Sequence, residues 1–345
     1  MADKPLVSVI LCAYNAEKYI SESIKSVLSQ TYENIQLIIV NDGSTDRTPD
    51  IVMSFNDPRI DLINSESNRH IANGTNEAFK KVRGDYAAII DADDRWLPQK
   101  LEKQLAFMQA NPQYAATFTW VDIIDDGGNI ANEKEAGIRR LLTPPCMSQG
   151  DWLRFFFFEG NRLCNPTSLF RSELIKTIGP HSLFYIQATD MEWWVRVAKK
   201  HEIGILEEPL VQYRRCANDS ISAESEDKTA RFYNELMLIR YHFFEGMDDG
   251  LFIKEFGEFF RCPDSRTPDE LKCEKAFLVS ACYNISGEYS ALGILMLEEL
   301  MNDPVTAELL YEKYHFSTKE LGKASGHHLF NDPFTQGLLR MQKGE

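Results

Sequence analysis

The 345-residue sequence lacks any apolar run of 18 residues, the length at which a helix can span a membrane. It also lacks an excess of positive charge, since 37 basic residues stand against 52 acidic ones, for a net charge of −15. Such a charge repels phosphate backbones, which argues against nucleic acid as a partner. The start MADKPLVSVI has none of the features of a signal peptide. We therefore expect a cytoplasmic protein that is not transmembrane.

The cysteines lack the spacing of a metal site or a disulfide framework. Seven are present, an odd number, and no two form a C-x-x-C pair. They are interpreted as reduced, mostly buried thiols. With 43% hydrophobic and 26% charged residues the chain is expected to be globular, and its length allows one large domain with an appendage, or two domains.

The first third of the chain alternates between strand and helix patterns. The predicted strands are the apolar, β-branched runs LVSVILCAYN, IQLIIVN, RIDLIN and DYAAIID. Between them, AEKYISESIKSVLSQ and IANGTNEAFKKV repeat apolar residues at helical spacing. Strands that are apolar on both faces and alternate with helices imply parallel β-α units in a doubly wound sheet. In such a sheet the ligand binds outside the carboxyl ends of the strands.

Polar residues cluster at three of these strand ends, in the segments AYN, NDGS and DADD. Asn, Asp, Gly and Ser favour turns and helix caps for local reasons, and for NDGSTD that interpretation stays open. It is weaker for DADD, because three neighbouring carboxylates repel one another. Mg²⁺ and Mn²⁺ take carboxylate oxygens and are usually completed by substrate phosphates. The pattern therefore indicates a nucleotide diphosphate bound through a metal ion.

Two long stretches resemble the nucleotide-binding half of the inverting glycosyltransferases of family 2, which have a GT-A fold. They are VSVILCAYNAEKYISESIKSVLSQTYENIQLIIVNDGSTDRT and GDYAAIIDADDRWLPQKLEKQL. The resemblance implies an α/β catalytic domain over residues 1–222, built on a doubly wound, Rossmann-like mixed sheet. An α-helical region over residues 223–345 would follow it.

The resemblance also implies roles for the polar strand ends. The turn after the first strand would cradle the nucleobase, and Asp42 would accept a hydrogen bond from its N3–H. In the D-x-D element, Asp91 would lie near ribose or sugar hydroxyls, and Asp93 would hold Mn²⁺ or Mg²⁺ on the diphosphate. The residues expected to bind the donor are Ala13, Tyr14, Asn15, Asp42, Asp91 and Ala92.

The second half of this domain is expected to supply the general base and the acceptor side. In ATDMEWWVRVAKK, Thr189 and Asp190 fit the position where the family usually shows Glu-Asp at the start of a helix. Asp190 would take the proton from the acceptor hydroxyl as that hydroxyl attacks the anomeric carbon. Trp120, Trp193 and Trp194 are candidates for the acceptor side. An alternative left open is that Thr189 or Asp190 only caps the helix.

The chain departs from the family pattern at several positions. His70 stands where relatives often have Gly, Thr75 where they have Arg, Thr189 where they have Glu, and Cys216 where they have His. The resemblance therefore does not supply the usual arginine contact to the nucleotide at position 75, and Cys216 is assigned no role beyond packing. Arg214 or Arg215 is a candidate for contact with phosphate, and a simple surface arginine is the alternative.

Beyond residue 222 the sequence predicts consecutive helices with apolar stripes, such as that of Phe232, Leu236, Ile239 and Phe243. This region could cover the acceptor cleft, bind a partner or pair subunits into a homo-oligomer, and the sequence does not choose. The adjacent His327 and His328 are interpreted as solvent-facing. The run FFFF at residues 155–158 is interpreted as helix core rather than as a membrane-docking surface.

We expect an inverting, metal-dependent hexosyl- or N-acetylhexosaminyltransferase that moves a sugar from a nucleotide diphosphate to a hydroxyl of a glycan or other acceptor. The resemblance favours uridine diphosphate (UDP) sugars and cell-surface polysaccharide or glycoconjugate synthesis, with a peripheral position on the inner face of the membrane left open. A sugar nucleotidyltransferase would carry a Gly-rich loop where this chain has CAYNAEKY. A non-catalytic nucleotide- or sugar-binding module is the alternative from another class.

Overall fold

A computed structural model describes residues 4–215, 226–281 and 290–325 of the chain. The chain divides into two compact units, the first formed by residues 1–156 and 160–235, and the second by residues 157–159 and 236–345. The domain boundary predicted at residue 222 lies outside the described residues. Within the described residues, no helix is long and apolar enough to cross a membrane.

The first unit contains a mixed sheet whose strands are apolar because both faces are covered. The strands are β1 Val7–Ala13, β2 Ile35–Asn41, β3 Ile60–Asn64, β4 Tyr86–Asp91, β5 Arg95–Trp96, β6 Tyr114–Ile124, β7 Leu169–Arg171 and β8 Glu202–Arg214. All residues of β2 are buried, and so are all but one of β1. The strand order is β3-β2-β1-β4-β7-β6-β8-β5.

Strand direction changes across the sheet. β3, β2, β1 and β4 run parallel, as the β-α pattern predicts, whereas β7 is antiparallel to both β4 and β6. β8 runs parallel to β6, and β5 is antiparallel to β8. The prediction of a doubly wound, mixed sheet of the GT-A type is confirmed.

The register of the parallel strands brings their carboxyl ends together. Ala13 at the end of β1 pairs with Asn41 at the end of β2, and Cys12 pairs with Asp91 at the end of β4. The three polar segments predicted from the sequence therefore meet at one edge of the sheet.

Helices connect these strands and cover the sheet. They are α1 Ile20–Leu28, α2 Thr48–Met53, α3 His70–Phe79, α4 Lys100–Ala110, α5 Ala136–Leu141, α6 Gln149–Phe158, α7 Leu174–Thr177 and α8 Thr189–Ala198, with a 3-10 turn at Asn165–Thr167. On α1 the buried side chains Ile20, Ile24 and Val27 recur at helical spacing. They join the apolar side chains of β1, β2 and β4 in one core.

The second unit is helical in its described part. Helix α9 Glu226–Tyr241 begins in the first unit, and is followed by α10 Asp249–Phe256, α11 Pro268–Ala281, α12 Ala291–Asn302, α13 Pro304–Glu312 and α14 Thr318–Ser325, with a 3-10 turn at Gly257–Phe259. The buried Phe157 ring lies 5.1 Å from that of Phe243 and 4.9 Å from that of Phe244. Phe157 thus packs in the core of this unit, as the sequence analysis predicts. A second core surrounds Phe277 and Tyr314.

Candidate active site

The turns after β1 and β2 hold each other through side-chain hydrogen bonds. The backbone N–H of Asn15 donates to Ser44 Oγ at 3.0 Å, and Asn15 Oδ1 accepts the backbone N–H of Thr45 at 2.8 Å. Asn15 has a φ of 48°, a left-handed conformation that asparagine tolerates better than most residues. Tyr14, beside it, is 48% exposed. The ring of Tyr14 is therefore accessible at the edge of the sheet, while Asn15 fixes the two turns.

Asp42 lies at the same edge with a buried carboxylate. Both its oxygens accept the backbone N–H of Arg69, at 3.1 and 3.0 Å. The backbone before Arg69 passes close to Gly43, which has a φ of 71°. A Cβ added at Gly43 would lie 2.5 Å from the backbone carbon of Ser67, so this close approach requires glycine. A carboxylate has about four lone-pair sites, so Asp42 keeps acceptor capacity for a further donor.

The three carboxylates after β4 have different surroundings. Asp94 is fully buried, and its Oδ1 accepts the backbone N–H of Arg214 at 2.8 Å. Asp91 and Asp93 are half-buried, and no other described residue donates a hydrogen bond to the carboxylate of either one. Desolvation, with the charges of Asp93 and Asp190, raises the pKa of Asp91 to about 7. Burial also raises the pKa of Asp93, against the opposing charge of Arg214.

Arg214, at the end of β8, forms hydrogen bonds that fix the segment after β4. Its Nε donates to the backbone oxygen of Asp93 at 2.7 Å, and Nη2 contacts Glu22 Oε2 at 2.8 Å. Nη1 donates to the backbone oxygens of Asp125 and Asp126. The side chain is 1% exposed. The guanidinium of Arg214 is therefore engaged by groups of the protein itself and is not a candidate for phosphate contact. Of the two arginines considered for that contact, the half-buried Arg215 stays a candidate.

Asp190 occupies the second position of α8, close enough to Asp91 that its charge contributes to the raised pKa of Asp91. Its Oδ1 accepts the backbone N–H of Met191 at 2.8 Å, and its Oδ2 accepts Asn161 Nδ2 at 3.2 Å. Desolvation raises the pKa of Asp190 to about 6, against these hydrogen bonds. The structure thus brings together two carboxylates that are 99 positions apart in sequence. Asn161 was missed by the sequence analysis, because nothing local links it to Asp190.

The interpretation of Thr189 or Asp190 as an N-cap is wrong. The residue before the helix is Ala188, which has no side chain that can cap it. Thr189 Oγ1 instead donates to the backbone oxygen of Tyr185, four residues earlier and outside the helix.

Two of the three tryptophans proposed for the acceptor side belong to the core. Trp193 and Trp194 are 0% exposed. Their indole N–H groups donate to the backbone oxygen of Gly179 and to Asn165 Oδ1, at 2.9 and 3.1 Å. Neither side chain has surface for an acceptor, so that assignment is corrected. Trp120 is half-buried and donates to the backbone oxygen of Pro144, and its role stays a prediction.

The departures from the family pattern have local structural counterparts. His70, at the usual glycine position, has a φ of 68°. Thr75, at the usual arginine position, is buried with its Oγ1 3.7 Å from Cys12 Sγ. Cys216, His327 and His328 lie outside the described residues.

The donor chemistry at the edge fits a hard divalent cation. Asp91 and Asp93 offer carboxylate oxygens without competing hydrogen-bond donors from other described residues, and oxygen is the ligand that Mg²⁺ and Mn²⁺ prefer. In the part of the chain that the structure describes, no three His, Cys, Asp or Glu side chains are grouped to hold a metal ion by themselves. A cation here would therefore need ligand or water oxygens to complete its coordination.

Comparisons with known proteins agree with this geometry. The sequence profile described as Glycosyl transferase family 2 matches residues 8–177. The putative teichuronic acid biosynthesis glycosyltransferase TuaG of Bacillus subtilis is 42% identical over 246 residues, which cover 70% of this chain and 91% of that protein. The UDP-Glc:alpha-D-GlcNAc-diphosphoundecaprenol beta-1,3-glucosyltransferase WfaP of Escherichia coli is 32% identical over 235 residues, covering 68% and 86%.

The fold is also that of a solved enzyme. The crystal structure of S. aureus TarS 1-349 in complex with UDP-GlcNAc matches with a TM-score of 0.56 at 18% identity, over 92% of this chain and 89% of that one. The GT-A sheet and its polar edge define a nucleotide-sugar glycosyltransferase. The chain belongs to glycosyltransferase family 2. The family, the fold and the class of enzyme predicted from the sequence are confirmed.

Proposed function

We propose that this glycosyltransferase transfers a sugar with inversion from a UDP-sugar to a hydroxyl of a surface glycan, with Mg²⁺ or Mn²⁺ on the diphosphate. The observation that carries the proposal is the position of Asp190, a carboxylate with a raised pKa beside the D-x-D element of residues 91–93. A nucleotide-binding module would have no need for a desolvated carboxylate at this point.

Donor binding would use the carboxyl edge of the sheet. The exposed ring of Tyr14 is available to a flat base, and Asp42 keeps acceptor capacity for a base N–H. Ala13 and Asn15 would shape the turn around the base, and Ala92 would lie between the two carboxylates that face the sugar and diphosphate. UDP is favoured because WfaP, a relative at 32% identity, is described as using UDP-Glc.

Metal binding would fall to Asp93, with Asp91 close by. A divalent cation supplies charge neutralisation on the diphosphate leaving group. The raised pKa values of both carboxyls reflect burial and, for Asp91, neighbouring negative charge, so a cation would stabilise the ionised forms that the fold disfavours.

Asp190 would act as the general base. Its carboxylate would take the proton of the acceptor hydroxyl while the hydroxyl oxygen forms a bond to the anomeric carbon. The bond from that carbon to the diphosphate oxygen breaks at the same time, and its electron pair leaves with the diphosphate, so the anomeric configuration inverts. A pKa of about 6 keeps Asp190 ionised at neutral pH while making it more basic than an ordinary aspartate. Turnover is therefore expected to rise with pH through about 6.

The acceptor is proposed from the relatives alone. TuaG is described as a protein of teichuronic acid biosynthesis, and the acceptor in the description of WfaP is a GlcNAc-diphosphoundecaprenol. A surface-polysaccharide precursor with a free sugar hydroxyl is the acceptor class that follows. Trp120 would be the residue to examine on that side.

Thermal unfolding with UDP, GDP and UDP-sugars, each in the presence of Mn²⁺, Mg²⁺ or a chelator, tests the donor and the metal together. A ligand that binds only the folded state raises the Tm. We expect a metal-dependent rise with UDP in wild type that is lost in Asp93→Asn. The control is Asp85→Asn, which alters an exposed carboxylate just before the opposite end of the same strand, β4. It should keep the full rise.

The base is tested separately by turnover. Asp190→Asn should keep the metal-dependent rise in Tm with UDP but lose about 100-fold or more in kcat. Near-normal turnover in this variant would refute the base assignment, and no shift with any nucleotide in wild type would refute the donor assignment.

A further inference from the structure

Glu235 is a buried carboxylate beyond the segment that matches the family profile. It lies on α9, in the first unit, whereas the family profile ends at residue 177. The residue is 3% exposed. Its oxygens accept three consecutive backbone N–H groups, from Ile186 at 3.0 Å, Gln187 at 2.9 Å and Ala188 at 2.8 Å.

These three N–H groups lie directly before α8. A helix start leaves backbone donors without partners, and a nearby side chain normally satisfies them. The N-cap residue of α8 is Ala188, which cannot do so. A glutamate in a capping box accepts the N–H of the N-cap residue, and Glu235 makes this contact from a distant helix. An anion at this end also interacts favourably with the helix dipole.

Asp190 lies two residues after Ala188, whose N–H group donates to Glu235. Its carboxylate is held on one side by Asn161 and on the other by the backbone of its own helix. The backbone just before the helix is held by Glu235. The place of the carboxylate relative to an acceptor hydroxyl therefore depends on how firmly residues 186–188 are fixed.

We infer that Glu235 is a positioning residue for the base Asp190, so that helix α9 contributes to catalysis through the backbone before α8. The inference rests on the proposed function of Asp190. Among the described residues, the hydrogen bonds of Glu235 go to residues 186–188 and not to the turns after β1, β2 or β4, so the donor side is not expected to depend on it. Displacement of a reacting group by about 1 Å can cost about 100-fold in rate.

The primary variant is Glu235→Gln, in which an amide N–H₂ faces backbone donors that need an acceptor. We expect kcat to fall about tenfold or more, while KM for the donor and the metal-dependent UDP affinity change by less than about twofold. Glu235→Asp keeps the charge on a shorter side chain and should recover part of kcat. It also keeps the test usable where the glutamine variant folds poorly.

The matched control is Glu274→Gln in the second unit. Glu274 is also fully buried, and its carboxylate accepts the backbone N–H groups of Arg261 and Cys262 at 2.7 and 2.9 Å, together with Ser265 Oγ. The variant loses the same kind of contact away from Asp190. It should lower the Tm while leaving kcat within about twofold of wild type.

A double-mutant cycle decides whether Glu235 acts through Asp190. On the Asp190→Asn background, Glu235→Gln should change the residual kcat by less than about twofold. An equal loss of kcat on both backgrounds would assign Glu235 a general structural role and overturn the inference. An unchanged kcat in Glu235→Gln, alongside a large loss in Asp190→Asn, would overturn it too, whereas normal turnover in Asp190→Asn would refute the proposed base instead.

Discussion

Replacing Asp190 by asparagine should make the protein more stable at neutral pH while it removes the base. The folded state raises the pKa of this carboxyl from its ordinary 3.8 to about 6, chiefly through desolvation. The folded protein therefore favours the protonated form, and ionised Asp190 costs folding free energy. This cost is present above about pH 6, falls between the two pKa values and is absent below about pH 4.

The size of the effect follows from the shift. One pKa unit corresponds to about 1.36 kcal/mol, so a shift from 3.8 to about 6 corresponds to about 3 kcal/mol at most. Asp190 is only half-buried, and the asparagine amide faces the Nδ2 group of Asn161, which donates to Oδ2 in the wild type. After these deductions we expect a gain of about 1–2 kcal/mol, or about 3–6 °C in Tm.

Urea and thermal unfolding at about pH 8 and about pH 4.5 measure this difference, with the fluorescence of buried Trp193 and Trp194 as the probe of the first unit. The matched control is Asp151→Asn, at another helix start. There hydrogen bonds from Ser148 and Arg154 lower the pKa of the carboxyl. That variant should lose stability at pH 8, and the loss should shrink as the pH falls.

The alternative to this reasoning is that Asp190 stabilises the start of α8, as acidic residues in a first turn usually do. Asp190→Asn would then lower the stability at pH 8, as Asp151→Asn is expected to do. A loss of stability, or a gain that does not depend on pH, would refute the account of Asp190 as a desolvated and functionally placed base.

Two further predictions concern backbone conformation. His70 is exposed and has a φ of 68°, a backbone conformation that glycine adopts without strain. His70→Gly should therefore stabilise the protein by about 0.5–1 kcal/mol, whereas His70→Ala keeps the strain and should not. Urea unfolding of the two variants measures the difference. Gly43→Ala should cost about 2–3 kcal/mol and weaken UDP binding, because its Cβ would meet the backbone of Ser67 at 2.5 Å. Gly137→Ala, with open space around the added Cβ, is the control, and equal behaviour of the two alanine variants in unfolding and titration would contradict the argument.

Local sequence was sufficient for the half of the site that lies on consecutive parallel strands. Once the strands are parallel, their carboxyl ends must meet, so the proximity of Asn15, Asn41 and Asp91 follows from the β-α pattern alone. The sequence also located the helix of Asp190 correctly. These features depend on periodicity and on short motifs, which are local properties of the chain.

The remaining contacts could not be predicted because they join residues that are far apart in sequence. Arg214 reaches Asp93 and Glu22, Asn161 reaches Asp190, and Glu235 reaches the segment before α8. Each depends on how helices and antiparallel strands pack, which periodicity does not specify. The tryptophans were misassigned for a related reason: an aromatic pair on a helix has the same sequence pattern whether it faces a ligand or the core.

The three carboxylates after β4, Asp91, Asp93 and Asp94, differ in their surroundings. Asp94 faces inward, where the backbone N–H of Arg214 satisfies one of its oxygens. Asp91 and Asp93 face the edge with raised pKa values and with no hydrogen bond to their carboxylates from another described residue. A fold under selection for stability alone would pair or remove such groups. Asp91 and Asp93 are expected to be kept next to Asp190 if a bound ligand brings the positive charge and the hydrogen-bond donors that they lack. The folded protein should therefore gain unusually large stability when metal and nucleotide bind together.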